Sequence, residues 1–103
     1  ISGGENVSSI EVEDVLFTHE QITEVAVIGV PDDKWGETVK ALVVVEGEIS
    51  EEELITYCRG KLAHYKCPTS IEFRDELART ATGKLQKYKL RAQYWEGHEK
   101  QVN

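Results

Sequence analysis

The chain has 103 residues, a formal net charge of −7, and a composition of 40% hydrophobic and 30% charged residues. This length allows one domain with a modest core, and the composition is that of an ordinary soluble globular fold. No apolar run approaches the roughly 20 residues of a membrane-spanning helix, so we expect no integral membrane segment and, by default, a cytoplasmic location. Two cysteines make no disulfide framework, and three widely separated histidines lack metal-ligand spacing, which predicts no metal site.

The chain opens on Ile1-Ser2-Gly3-Gly4 and contains no methionine. Consecutive glycines are typical of a tight turn, and natural chains seldom begin inside one. We therefore expect residues 1–103 to be one domain of a longer protein. Part of any active site would then lie on the absent portion.

The next residues predict a helix and two strands. Ser8-Ser9-Ile10-Glu11 has the form of a capping box, so a helix should begin there and run to about His19. The β-branched runs 25–30 and 39–45 predict two buried strands. Only a short polar stretch separates these runs, which favours an antiparallel pair.

The second half of the chain predicts two more helices and one more strand. Ser50 to Glu53 forms another capping box, followed by an apolar face of Leu54, Ile55, Cys58 and Leu62. Residues 71–74 alternate as a short strand, and Leu85, Tyr88, Ala92 and Trp95 mark a final helical stripe. The predicted fold is α+β: a three-stranded sheet covered by helices, in the order α-β-β-α-β-α, preceded by a glycine hairpin turn.

The start of the last helix breaks two local rules. Residues 77–95 hold five bases and no acid. With Thr82 as N-cap, Gly83 and Lys84 would occupy the first turn. A cation there opposes the helix dipole, and glycine lowers helix stability by about 1 kcal/mol relative to alanine. Exposed N–H groups with a long cation suit a phosphate or carboxylate. A solvated lysine on a basic face is the simpler interpretation from spacing alone.

Several ordered motifs make the chain resemble a known family. ISGGENVSSIEVE, VPDDKWGETVKALVV, YKCP and RTATGKLQKYKLR occur in the order found in acyl-CoA synthetases, and the resemblance extends over nearly all 103 residues. The chain is similar to the mobile C-terminal domain of these enzymes, within the adenylate-forming ligase superfamily. The resemblance implies that Ile1 follows a hinge to a large N-terminal domain, which would be the principal partner of this one.

The resemblance implies an acid–thiol ligase reaction in two steps. A carboxylic acid reacts with ATP, with Mg²⁺ held by the large domain, to give acyl-AMP, and the acyl group then passes to CoA. The small domain rotates between the steps. By resemblance Lys84 is the catalytic lysine of adenylation, and Thr80, Thr82 and Gly83 shape its loop. Many relatives carry proline where Ala78 stands, which loosens this loop slightly.

Further residues match the CoA side of the family site. Gly3, Gly4 and Glu5 match the turn that lines the pantetheine tunnel, and Trp35 matches a tryptophan beside it. Tyr65 and Lys66 match positions that meet the CoA nucleotide, although Cys67 and Thr69 replace basic residues of some relatives. The alternatives are a tight glycine hairpin, a half-buried tryptophan anchor and surface packing at a helix end.

Other functions remain open at this point. Within the superfamily, the tail with Trp95 is most similar to fatty acyl-CoA synthetases, so a fatty acid is the expected substrate. An aryl-CoA ligase, a luciferase-like oxidase or a carrier-protein-loading enzyme would share this domain. A nucleic-acid-binding module is disfavoured by the acidic balance, and a non-catalytic ligand-binding domain is the remaining alternative. The isolated fragment should be inactive in either half-reaction.

Overall fold

The computed structural model describes residues 9–78, 81–83 and 85–96. Their element order confirms the predicted α-β-β-α-β-α sequence, and the predicted glycine turn lies outside the described residues. The elements are helix α1 (Ser9–Phe17), strands β1 (Ile22–Asp32) and β2 (Gly36–Val45), helix α2 (Glu51–Arg59), a 3-10 helix (His64–Lys66), strand β3 (Ser70–Phe73) and helix α3 (Lys87–Trp95).

The three strands form one mixed sheet with β2 in the centre. β1 and β2 are antiparallel, as predicted, and their register runs from Asp32 opposite Gly36 to Ile22 opposite Val45. A tight turn suffices for this pair, and Gly36 supplies the positive φ of 83° that it needs. β3 is parallel to β2, so the chain must cross back over the sheet, and α2 lies in that crossover.

Strand alternation gives the sheet two apolar faces, each with its own cluster. One face packs against α1 and α2, and the other packs against α3. We call the buried parts the first cluster (Val12, Leu16, Ile22, Val27, Val39, Ala41, Val43, Leu54, Cys58, Cys67, Ile71) and the second cluster (Ala26, Ile28, Val30, Leu42, Leu77, Leu90).

The predicted capping box at α2 is confirmed. Ser50 Oγ accepts a hydrogen bond from the Glu53 N–H at 3.1 Å, and Glu53 Oε1 accepts one from the Ser50 N–H at 3.2 Å. Leu54 and Cys58 are buried, as expected of the apolar face. The helix ends at Arg59, so Leu62 reaches the first cluster from the following turn rather than from the helix.

The predicted start of the last helix was wrong, and its predicted stripe is confirmed only in part: Leu85 packs against the second cluster, whereas Tyr88 and Ala92 are exposed. α3 begins at Lys87, and Gly83 has a φ of 90°, which no helical residue adopts. The residue that α3 buries is Leu90, with Tyr94 packed partly beside it. Tyr88, which the stripe placed inward, is 67% exposed. The prediction failed because a loop, rather than a first helical turn, follows Thr82.

Both edge strands of the sheet are covered by a glutamate from a helix. Glu13 of α1 accepts a hydrogen bond from the Val27 N–H at 2.8 Å, and Glu51 of α2 accepts one from the Ile71 N–H at 2.8 Å. An unpaired edge N–H is a site where another strand could pair. These carboxylates satisfy one such donor on each edge and fix each helix in place along its strand.

Candidate functional site

The loop from Ala78 to Gln86 is closed at its base and exposed at its tip. The Gln86 N–H donates to the Ala78 carbonyl oxygen at 3.0 Å, and Leu77 is buried in the second cluster. Ala78 and Leu85 pack partly against the same cluster, so both ends of the loop are anchored by apolar contacts. Lys84 and Thr80 lie outside the described residues.

The backbone conformation at position 83 favours glycine, although a larger side chain would find space there. Its φ of 90° belongs to the left-handed region, and no described residue comes within 4 Å of where a Cβ would lie. Thr82 and Gly83 are both exposed. The turn therefore presents the segment immediately before Lys84 at the surface.

α3, which follows this loop, has a polar side-chain contact with each strand of the sheet. Trp95 Nε1 donates to the Gly29 carbonyl oxygen of β1 at 2.8 Å, and Arg91 pairs with Glu37 of β2 at 3.3 Å. The Tyr94 hydroxyl donates to Glu72 of β3 at 2.5 Å. Together with the burial of Leu90, these contacts make α3 a fixed support for the loop.

Glu72 is the centre of a charged cluster between β3 and α3. Arg74 Nε donates to Glu72 Oε2 at 2.6 Å, and Lys40 Nζ lies 3.8 Å from Oε1. Burial by itself would raise the pKa of Glu72. The hydrogen bonds from Tyr94 and Arg74, with the nearby positive charges of Arg74 and Lys40, outweigh it and lower that pKa.

This lowered pKa predicts a pH-dependent contribution to stability. A carboxylate with a lower pKa in the folded state stabilises the fold above its unfolded pKa, taken as 4.5, and loses that contribution as pH falls through the folded value. The Glu72→Gln variant should therefore unfold more easily than wild type at neutral pH, and the gap should close in acid. Urea unfolding at a series of pH values measures this. Glu52→Gln, at an exposed position of α2, is the control, and an equal pH-independent loss in both would contradict the prediction.

Trp35 is presented by a rigid turn rather than packed into the core. Asp32 Oδ1 accepts hydrogen bonds from the Lys34 and Trp35 N–H groups, both at 2.9 Å. The indole is 57% exposed, and the Lys34 ammonium lies 5.0 Å from its ring centroid. The indole is therefore partly accessible to a ligand, and the alternative of a half-buried anchor stays open.

Tyr65 and Lys66 lie in the 3-10 helix, and they differ in how freely their side chains could contact a ligand. Tyr65 is 50% exposed. Lys66 Nζ contacts both carboxylate oxygens of Glu11, at 3.1 and 3.4 Å, and the hydrogen bond and charge of Glu11 raise the pKa of Lys66. Cys67 is buried, so its side chain does not contribute to a surface that could contact a ligand.

The first half of α1 brings two of the predicted segments together. Glu11 contacts Lys66 of the 3-10 helix, while Glu13 and Ser9 contact Lys87, the first residue of α3. The sequence analysis assigned Ser9 and Glu11 only to a capping box and did not single out Glu13, because an acid near a helix start is equally explained by the helix dipole. Trp35 is held by contacts within its own turn, and Gly3, Gly4 and Glu5 lie outside the described residues.

The remaining candidates for chemistry belong to the core. Cys58 and Cys67 are buried free thiols of the first cluster. Burial raises the pKa of Cys58 to about 11, and the nearby Cys67 adds to the shift, so the thiol is protonated and unreactive. Among the described residues, no three metal-binding side chains converge, and no helix there is long and apolar enough to cross a bilayer.

The three-stranded mixed sheet, with helices on both faces and an anchored loop before α3, defines a small α+β domain. Residues 11–84 match the family described as AMP-binding enzyme C-terminal domain. This match covers well over half of the chain, and the chain therefore belongs to that family.

Relatives of this chain include named CoA ligases and a solved acyl-CoA synthetase. The chain is 47% identical over 95 residues to the 2-methylpropanoate–CoA ligase CCL4 of Humulus lupulus, and 47% identical over 91 residues to a 2-succinylbenzoate–CoA ligase of Bacillus cereus, each over 88% of this chain. A solved Mycobacterium tuberculosis fatty acyl CoA synthetase matches 91% of this chain with 47% identity and a TM-score of 0.87. The chain spans 17% to 19% of the length of these relatives.

Proposed function

We propose that this chain is the mobile C-terminal domain of an AMP-forming fatty acid–CoA ligase. The complete enzyme converts a carboxylic acid and ATP to acyl-AMP and pyrophosphate, and then transfers the acyl group to the thiol of CoA. The large N-terminal domain holds the acid, the nucleotide and Mg²⁺. This domain supplies the adenylation lysine and part of the CoA tunnel, and the enzyme acts in the cytoplasm.

The observation that carries the proposal is the loop between Ala78 and Gln86. Its base is closed by a backbone hydrogen bond and by apolar packing, while Thr82 and Gly83 are exposed. Such a loop can enter a site on another domain without unfolding its own. The family match extends to residue 84, the lysine of this loop.

Lys84 is the residue to which we assign catalysis. The carboxylate of the acid and the α-phosphate of ATP are both anionic, and charge builds further in the transition state. A positioned ammonium offsets this repulsion and fixes the reacting groups. Thr80, Thr82 and Gly83 support the lysine by shaping the loop, and the left-handed Gly83 sets the direction in which the chain enters position 84.

We assign the CoA contacts to residues outside the Lys84 loop. Gly3, Gly4 and Glu5 line the path of the pantetheine arm, and the exposed Trp35 packs beside it. Tyr65 is exposed enough to stack on the adenine ring. Lys66 contributes positive charge near the CoA phosphates, although Glu11 already neutralises part of that charge.

A direct test compares the isolated domain with the complete enzyme. The 103-residue chain should fold, because it has two apolar clusters of its own, but should form neither acyl-AMP nor acyl-CoA. Joined to its large domain, it should support both reactions, measured as pyrophosphate release and as thioester formation. Thioester formation by the isolated chain from acid, ATP and CoA would contradict the shared-site proposal.

The names of the relatives include several classes of acid substrate. They are ligases of 2-methylpropanoate, of 2-succinylbenzoate and of long-chain fatty acids. An aryl-CoA ligase or a carrier-protein-loading enzyme with this domain is therefore the alternative. A panel of fatty, short branched and aromatic acids, assayed with the complete enzyme, distinguishes them. Binding of CoA without any pyrophosphate release would instead favour a non-catalytic domain.

A further inference from the structure

Lys87 connects three separate parts of the fold. Its ammonium forms an ion pair with the Glu13 carboxylate and donates to Ser9 Oγ at 3.2 Å. Glu13 Oε2 also accepts from the Val27 N–H at 2.8 Å, on the edge of the sheet. The Lys87 and Glu13 side chains are 32% and 18% exposed. The first residue of α3 is thereby attached both to α1 and, through Glu13, to β1.

The position of this contact relates it to the proposed site. Lys87 is three residues after Lys84 and directly follows Gln86, whose N–H closes the loop. Ser9 is the first residue of α1 and lies four residues after Glu5. The contact therefore joins the starts of the two helices that follow the adenylation loop and the predicted CoA turn.

We propose that Lys87 is a positioning residue for adenylation, which holds the start of α3, and with it the base of the Lys84 loop, against α1. This inference rests on the proposed function. A reacting group displaced by about 1 Å can lose on the order of a hundredfold in rate, so a loose loop base costs activity without any loss of charge at the site. Lys87 itself touches no substrate.

The other contacts of α3 allow this role to be separated from folding. Leu90 is buried in the second cluster, and Tyr94 and Trp95 bond to β3 and β1 from the far end of the helix. These contacts keep α3 on the sheet when Lys87 is changed. Removing the Lys87 ammonium frees only the first turn of the helix, the end that joins the loop.

The test uses the complete enzyme with three variants. Lys87→Met keeps the unbranched chain as far as the ε atom and removes the ammonium, Lys87→Arg keeps the charge, and Glu13→Gln removes the charge of the partner. Lys87→Met and Glu13→Gln should each lower kcat for acyl-AMP formation about tenfold, with KM for acid and ATP near wild type. Lys87→Arg should restore most of the rate. The double variant should be no slower than either single one, because both remove the same contact.

Thioester formation from supplied acyl-AMP and CoA is the second measurement. It should stay near wild type, because α1 is held independently by Val12 and Leu16 in the first cluster. Lys89→Met is the matched control: it removes the same charge from an exposed position of the same helix and should leave both rates unchanged.

Four outcomes decide between the explanations. A lower melting temperature for Lys87→Met with unchanged kcat would assign the residue to stability alone and overturn the inference. Equal effects of Lys87→Met and Lys89→Met would also overturn it. Lys84→Ala, run in parallel, keeps the two proposals apart: normal adenylation in that variant removes the proposed function, whereas abolished adenylation beside a fully active Lys87→Met removes only the role of Lys87.

Discussion

Lys84→Ala in the complete enzyme is expected to slow acyl-AMP formation by roughly a hundredfold or more. The loss of one preorganised charge contact in a transition state costs about 3 kcal/mol, which gives a rate change of this order. The same variant, supplied with acyl-AMP and CoA, should form thioester at nearly the wild-type rate, because in the proposed mechanism the domain rotates before this step and takes the lysine out of the site. Single-turnover assays of the two half-reactions measure both quantities. Equal loss in both would contradict the assignment.

The structure determines which lysine is a suitable control for this experiment. Lys87 lies in the same basic segment, but it is bonded to Glu13 and Ser9 and is therefore not a neutral comparison. Lys89 is exposed on the same helix, and Lys89→Ala makes the same change of charge. Adenylation slowed equally by Lys84→Ala and Lys89→Ala would mean that the basic segment is only a solvated surface.

Gly4→Trp is expected to abolish thioester formation while acyl-AMP formation continues close to the wild-type rate. In the proposed second state this glycine lines the path of the pantetheine thiol, and a bulky side chain there would exclude it. The two half-reactions, assayed separately, should differ by about two orders of magnitude or more in their response, since the thiol can no longer reach the acyl group. Glu46→Trp, at an exposed position after β2, is the control for added bulk.

An equal effect of Gly4→Trp on both half-reactions would have a different meaning. It would show that the glycine acts through the fold of the turn, since a tight turn with positive φ also excludes a large side chain. Gly4→Ala helps to separate the two, because it strains such a turn while adding little volume to a tunnel. A large effect of Trp with a small effect of Ala therefore supports obstruction.

Local signals in the sequence were sufficient for most of the secondary structure. The capping box at Ser50 depends on residues three positions apart, and the antiparallel β1–β2 pair depends on one short turn. Both were predicted because the interacting groups are close along the chain. The ordered motifs likewise identified the family, which the match to residues 11–84 confirms.

Contacts beyond a single helical turn, and one backbone conformation, decided what the sequence did not predict. The hydrogen bond from Gln86 to Ala78 and the left-handed Gly83 make a loop where the local pattern favoured a helix start at Thr82. The helix begins at Lys87, where Glu13 and Ser9 receive its ammonium. Ser9 and Glu13 lie more than 70 residues before Lys87, so a pattern of neighbouring residues cannot predict these contacts.

Features that depend on residues close in the sequence were therefore predicted, whereas contacts between residues far apart in the sequence were not. By itself the sequence determined the element types, their order, the family and the candidate residues, because caps, alternation and motifs are properties of short segments. Only the tertiary structure decided that β3 is parallel to β2, that Glu13 and Glu51 cover the sheet edges, and that Lys87 meets Ser9. These contacts join residues that become neighbours only when both faces of the sheet bury their apolar clusters.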